Sequence, residues 1–345
     1  MTMFNSIHIV RLSPLLSFLL TYTYIYLHPR QSRLKMSPPI PIYGVYTPIV
    51  TFFHEDESLD LESTKLHVHR MISGGVSGLI LQGSNGEAPH LTHAERKILI
   101  RTIRNHLDSL NHPEIQLLVG CGAPSVRETI SYISEAKDAG ADFALVLPPA
   151  YWVSAMTPTV LEGFFGTVAD ESPLPVLIYN FPGVTGGIDI SSDTVLRLAK
   201  THPNIVGAKL TCGNLGKLQR ISSGLPTGTF ATFGGKSDFF LHALVAGSHG
   251  IIAALANIAP KTHVALLKLY IDGNLKAAQE LQVKLSHADW ALSKVGVAGV
   301  KAVVAHSFGY GTGRGRRPLG VTSVGDFGDG ILGPIQEVIE LEKTL

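Results

Sequence analysis

The chain has 345 residues, enough for one large α/β barrel or two ordinary domains. Hydrophobic residues make up 45% and charged residues 16%, which suits a chain with a large core and excludes a disordered or fibrous one. A formal net charge of +1 gives no basis for nucleic acid or an anionic surface as partner, and the two cysteines, Cys121 and Cys212, form neither a disulfide framework nor a metal knuckle.

Residues 1–54 contain no Asp or Glu, and residues 12–27 are mostly apolar but interrupted by Ser, Thr and Pro14. Three readings compete: a signal or anchor segment, an organelle-targeting leader with Arg11, Arg30 and Arg33, or upstream sequence ahead of a working start at Met36. The last is the expectation, so residues 1–36 are set aside as an N-terminal extension. It implies a cytoplasmic protein without stable membrane association; a genuine acid-free leader implies a mitochondrial one.

From Tyr43 onward, short apolar runs alternate with amphipathic stretches. Strands are expected at 44–52, 78–83, 116–120, 143–148, 176–180, 205–210, 229–234 and 250–255. Continuous apolar runs of this length suit parallel strands buried on both faces. Helices are expected between them, among them 92–107, which opens on the capping box Thr92-His-Ala-Glu95, then 125–139, 191–199 and 238–246. Eight such units predict an α/β fold, a (β/α)8 barrel over residues 37–260. An open doubly wound sheet shows the same alternation, but no dinucleotide fingerprint accompanies it. Residues 261–345 read as a helical region packed on the barrel, with helices at 263–270, 275–292 and 335–345 and a Gly/Arg-rich loop at 309–330.

Chemistry in such a barrel sits at the C-terminal ends of the strands. The sixth expected strand ends on Lys209, after Ile205-Val206-Gly207-Ala208. A lysine there loses hydration, which favours the neutral amine that attacks ketones. The plainer reading is a stem packed on the sheet with its head in water. Tyr179 ends the neighbouring strand and is placed to move a proton, or is simply a buried phenol. Ser84 and Asn85 lie in the turn Gly83-Ser-Asn-Gly-Glu87, where backbone N–H groups and small polar side chains suit a carboxylate, though an ordinary turn looks the same. Thr47, Tyr151, Thr211, Gly235 and Ala254 lie at other strand ends and complete the candidate substrate-binding set. The fifteen histidines show no His-Glu-x-x-His or other ligand spacing, so no metal is expected. Gly309-Tyr-Gly311-Thr-Gly313 lacks a Walker lysine and reads as a plain loop, and no Gly-x-Ser-x-Gly elbow supports a serine hydrolase.

Taken together, Gly83-Ser-Asn-Gly-Glu87, Tyr179-Asn-Phe-Pro182, Val206-Gly-Ala-Lys209, Gly247-x-x-Gly250 and Ala256-Asn257-x-x-Pro260 resemble the dihydrodipicolinate synthase / N-acetylneuraminate lyase family of pyruvate-dependent class I aldolases. The resemblance runs from about Gly44 to Pro260. It implies that Lys209 forms an imine with a 2-oxo acid, that Tyr179 relays protons with Ser84, and that Ser84 and Asn85 hold the substrate carboxylate. Tyr151 lies near a family tyrosine of the relay or of a subunit contact, and Thr211 lies where a related branch places a hydroxyl near the substrate. A homotetramer acting on a small 2-oxo acid, with no cofactor, is implied as well. Val184 stands where dihydrodipicolinate synthases carry an arginine for their second substrate, which argues against lysine biosynthesis. The expected activity is cleavage of 4-hydroxy-2-oxoglutarate to pyruvate and glyoxylate. The alternatives are a 2-keto-3-deoxy-galactonate-type aldolase giving glyceraldehyde, a dihydrodipicolinate synthase, and a barrel kept only for binding.

Overall fold

The computed structural model describes residues 38–345. The expectations for residues 1–36 lie outside the described residues. Eight strands, β1 Gly44–Pro48, β2 Gly78–Leu81, β3 Gln116–Gly120, β4 Phe143–Val146, β5 Val176–Asn180, β6 Ile205–Leu210, β7 Ala231–Gly234 and β8 Gly250–Ile252, pair in chain order. All pairs are parallel, and β8 closes on β1. Seven helices alternate with them: α1 Leu61–Ser73, α2 His93–Ser109, α3 Val126–Asp138, α4 Pro158–Glu171, α5 Ser192–Thr201, α6 Leu215–Ser223 and α7 Phe240–Val245. An eighth, α8 Pro260–Ile271, follows β8.

Strand side chains alternate between two cores. Tyr46, Ile80, Leu118, Leu145, Leu177, Tyr179, Val206 and Phe233 fill the barrel interior. Their neighbours, such as Val45, Leu79, Leu117 and Ala208, pack outward under the helices. Helix starts are fixed locally. The Thr92 hydroxyl accepts the Glu95 N–H while the Glu95 carboxylate accepts the Thr92 N–H, the reciprocal cap expected from the sequence. Ser125 and Ser191 cap α3 and α5 in the same position.

Several strands are shorter than expected. β1 stops at Pro48 rather than at residue 52, and Ile49–Phe53 continue as buried loop. Apolar character there serves packing more than pairing: Phe52 lies against His67 and Tyr310, and Phe53 makes an isolated antiparallel bridge to Leu59. The expected helix at 238–246 is a 3-10 turn, Ser237–Phe239, followed by α7. Beyond α8 come α9 Leu275–Ser293, α10 Gly296–Phe308 and α11 Asp329–Thr344. Helix α10 was not expected. Its Gly296, Gly299 and four valines are poor helix formers in isolation, and its burial supplies what propensity lacks.

Candidate active site

The C-terminal mouth of the barrel gathers most of the predicted residues. Tyr179 and Lys209 are register partners on β5 and β6, so both side chains point the same way, into the barrel. Lys209 is 4% exposed, and its Nζ lies 4.1 Å from the centre of the Tyr179 ring. That contact holds the amine beside the phenol and keeps it attractive for a cationic imine, since the ring face is electron-rich. Phe181 stacks on the other part of this wall, 5.8 Å from Tyr179 centre to centre. Asn180, which points outward, ties the wall down: its side chain donates to Asp189 and accepts the Ile190 N–H.

Above Lys209, Thr211 and Gly235 face each other. A Cβ on Gly235 would stand 2.1 Å from Thr211 Oγ1, so only glycine fits. The buried Thr211 hydroxyl has no hydrogen-bond partner among the described residues, which leaves it available to a ligand. Ala254 opens the 3-10 turn Ala254–Asn257 that follows β8. Asn257 sews that turn to β1, donating to the Pro48 and Ala254 carbonyls and accepting the Val50 N–H.

Strand β2 stands four places from β6 in a closed ring of eight, so its C-terminal turn faces Lys209 across the mouth. Ser84 and Asn85 are half-buried in this turn. Its backbone is forced: Gln82 and Glu87 adopt φ +54° and +53°, and a Cβ on Gly120 of β3 would sit 2.1 Å from the Gln82 carbonyl oxygen. Thr51 Oγ1 donates to the Gly86 carbonyl at 2.7 Å and anchors the turn from the β1 side. Glu87 anchors it from the other side through Lys301, with Oε1 2.7 Å from Nζ.

Two predicted residues are not with the others. Thr47 is a correction: β1 register sets it opposite Leu79, an outward-packed residue, so its hydroxyl faces the helical layer and not the mouth. The period-two alternation puts Tyr46 and Pro48 inward instead. Tyr151 is 78% exposed and stacks edge-on against exposed Trp152, whereas Lys209 is buried. Val184, on the loop after β5, is also exposed. The residues sequence reading missed are Thr51, within the strand expected at 44–52, and Glu87 with Lys301, whose pairing spans 214 positions and has no local signature. Among the described residues no group of three or more His, Cys, Asp or Glu is arranged to hold a metal ion.

A parallel (β/α)8 barrel with a buried lysine stacked on a tyrosine in its mouth is the frame of a class I aldolase, an enzyme that activates a ketone as a lysine imine. Comparison with known proteins narrows the class. The chain belongs to the dihydrodipicolinate synthetase family, whose model matches residues 41–324. It is 44% identical over 308 residues to a protein of Emericella nidulans named "Probable 4-hydroxy-2-oxoglutarate aldolase, mitochondrial", covering 89% of this chain and 98% of the relative. It is 42% identical over 321 residues to the L-threo-3-deoxy-hexylosonate aldolase of Hypocrea jecorina, covering 90% of this chain and 100% of the relative. Among solved structures, a dihydrodipicolinate synthase family protein of Coccidioides immitis superposes with a TM-score of 0.80 at 38% identity, over 90% of this chain and 100% of its own. YagE of Escherichia coli K12, solved in complex with pyruvate, superposes with a TM-score of 0.77 at 29% identity, over 88% and 99%. The protein is thus a carbon–carbon lyase of the Schiff-base aldolase type. Among the described residues no helix is long and apolar enough to cross a membrane.

Proposed function

We propose that this aldolase cleaves 4-hydroxy-2-oxoglutarate to pyruvate and glyoxylate, with Lys209 as the nucleophile. The observation that carries the residue assignment is the Lys209–Tyr179 pair, two inward register partners 4.1 Å apart at the mouth. The Lys209 amine adds to the C2 carbonyl, and loss of water leaves a protonated imine. Tyr179, with Ser84 as a relay, carries the proton away from the C4 hydroxyl. The C3–C4 electrons move into the imine, releasing the aldehyde and leaving an enamine. Protonation at C3 and addition of water then free pyruvate and Lys209. The imine is the electron sink, so this sequence requires no metal. Ser84 and Asn85, opposite the lysine, hold the C1 carboxylate, and Thr211 offers its free hydroxyl to the substrate.

The Emericella nidulans name supports glyoxylate as the second product and a mitochondrial location over a cytoplasmic one. A second reading, a 2-keto-3-deoxy-hexonate cleaved to pyruvate and glyceraldehyde, is favoured by the Hypocrea jecorina relative and by uncharged Val184 on the loop after β5. Exposed Tyr151 and Trp152 fit a subunit contact in a homotetramer.

Pyruvate with borohydride is expected to leave a reduced adduct on Lys209, read by peptide mass. An unlabelled Lys209 in active enzyme would sink the assignment. Measured side by side, kcat/KM for the two hydroxy-oxo acids decides the aldehyde.

A further inference from the structure

Glu87 ends the Ser84–Asn85 turn in a left-handed conformation that glutamate rarely adopts. Its carboxylate is sealed from solvent, and the Lys301 side chain is 1% exposed. One oxygen takes Lys301 Nζ at 2.7 Å, and the other takes the Arg316 backbone N–H at 2.8 Å and His90 Nδ1 at 3.0 Å. Two of the three donors come from the C-terminal segment, from α10 and the Gly/Arg-rich stretch after it.

That stretch is more than a connector. Tyr310 bonds His67 and Arg70 of α1, and Thr312 donates to the Phe53 carbonyl. Arg316 reaches the His90 carbonyl and both carboxylate oxygens of Glu95. The Lys301 and Arg316 cationic groups both lie over the Phe53 ring, 4.5 and 4.4 Å from its centre. Residues 309–317 therefore cross the ends of the first two βα units as a strap, fastened to Glu87.

A buried ion pair is a poor stability device, because stripping water from two charges cancels most of their attraction. Its value is geometric, since Glu87 satisfies its partners in one position only. With Thr51 holding Gly86 and the strap holding Glu87, the turn is gripped on both sides.

We propose that Glu87 is a positioning residue through which Lys301 and the 309–317 strap fix the Ser84–Asn85 turn for the 2-oxo-acid carboxylate. The C-terminal segment then sets affinity for the pyruvate half without taking part in chemistry at Lys209. This rests on the reading that the turn holds that carboxylate.

The test compares borohydride trapping of Lys209 by pyruvate and by hydroxyacetone, a ketone without a carboxylate. Glu87→Gln and Lys301→Met each lower the pyruvate-to-hydroxyacetone ratio of trapping efficiencies by roughly tenfold to a hundredfold, the scale of a small misplacement of a binding group. Hydroxyacetone trapping itself stays within about twofold of wild type on the same scale. If either single variant fails to fold for want of a charge partner, the double variant, with both charges gone, is measured instead. A folded variant with an unchanged ratio, or with equal losses on both ketones, overturns the proposal. Ser84→Ala separates the causes. If it lowers the ratio while the Glu87 variants do not, the strap is wrong and the turn stands. If it too leaves the ratio unchanged, the carboxylate assignment has failed and the proposal with it.

Discussion

Replacing Tyr179 by phenylalanine removes one oxygen and little else. The ring keeps its place in the interior core, its stacking on Phe181 and its face toward the Lys209 amine. The phenol shows no hydrogen bond to another described residue, so thermal stability should change by less than about 1 kcal/mol. If the hydroxyl moves the C4 proton, its loss costs a general acid–base contribution of about 10²–10⁴, or roughly 3–5 kcal/mol of transition-state stabilisation. Steady-state cleavage of 4-hydroxy-2-oxoglutarate, followed by pyruvate release, reads this directly. Trapping with pyruvate and borohydride at saturation reads imine formation separately, and it should still reach completion in Tyr179→Phe, because the nucleophile remains. A folded variant that cleaves within about threefold of wild type lies far below the least a general base contributes, and it would refute the assignment.

Lys209→Met is expected to keep the fold while abolishing the pyruvate adduct and lowering cleavage by more than about 10³-fold; residual cleavage above that level would point to another nucleophile. Gly120→Ala drives a methyl group into the Gln82 carbonyl beneath the Ser84–Asn85 turn. It should cost about 1–3 kcal/mol, seen as a fall of several degrees in Tm, together with weaker pyruvate trapping. Asp289 of α9 is buried and its carboxyl is pushed up to about 7, first by burial and then by neighbouring Asp238. Between the ordinary carboxylate range and about 7 the folded state holds a proton that the unfolded state has lost, so stability falls as pH rises through that window. Asp289→Asn cannot ionise and should gain on wild type by up to a few kcal/mol above about pH 7, with little difference near pH 4. Tm profiles from pH 4 to 8 check this, and a constant offset would refute it.

What the sequence made legible was local. Each barrel strand is a short apolar run, and three of the eight, β3, β5 and β6, match the expected limits residue for residue. The other five are shorter than expected, since residues such as Ile49, Val50 and Phe52 or half-buried Leu147 are as apolar as the strands they follow while lying in loops. Thr47 was misplaced for a related reason. A strand end named without its register leaves the face undecided, and a shift of one residue separates the barrel mouth from the helical layer. Helix α10 went unseen because its valines and glycines give no amphipathic stripe, only an apolar segment that a buried helix tolerates.

The site divides along the same line. Lys209 and Tyr179 announce themselves because strand order and alternation put them side by side. The turn Gly83-Ser-Asn-Gly-Glu87 carries its own glycines, and a Cβ on Gly86 would stand 2.9 Å from the Gln82 backbone nitrogen. The grip on that turn does not announce itself, since Glu87 finds Lys301 and Arg316 only once α10 and residues 309–317 have folded back over the first two βα units. A glutamate closing a glycine-flanked turn at a strand end is the local clue, and its burial shows only in the fold. Its partner is fixed only by tertiary packing. The same logic explains why the pyruvate half of the reaction reads more clearly than the aldehyde half. Lys209 and Tyr179 sit on paired strands, whereas Val184 sits on a loop, and loop contacts follow from packing that no spacing rule encodes.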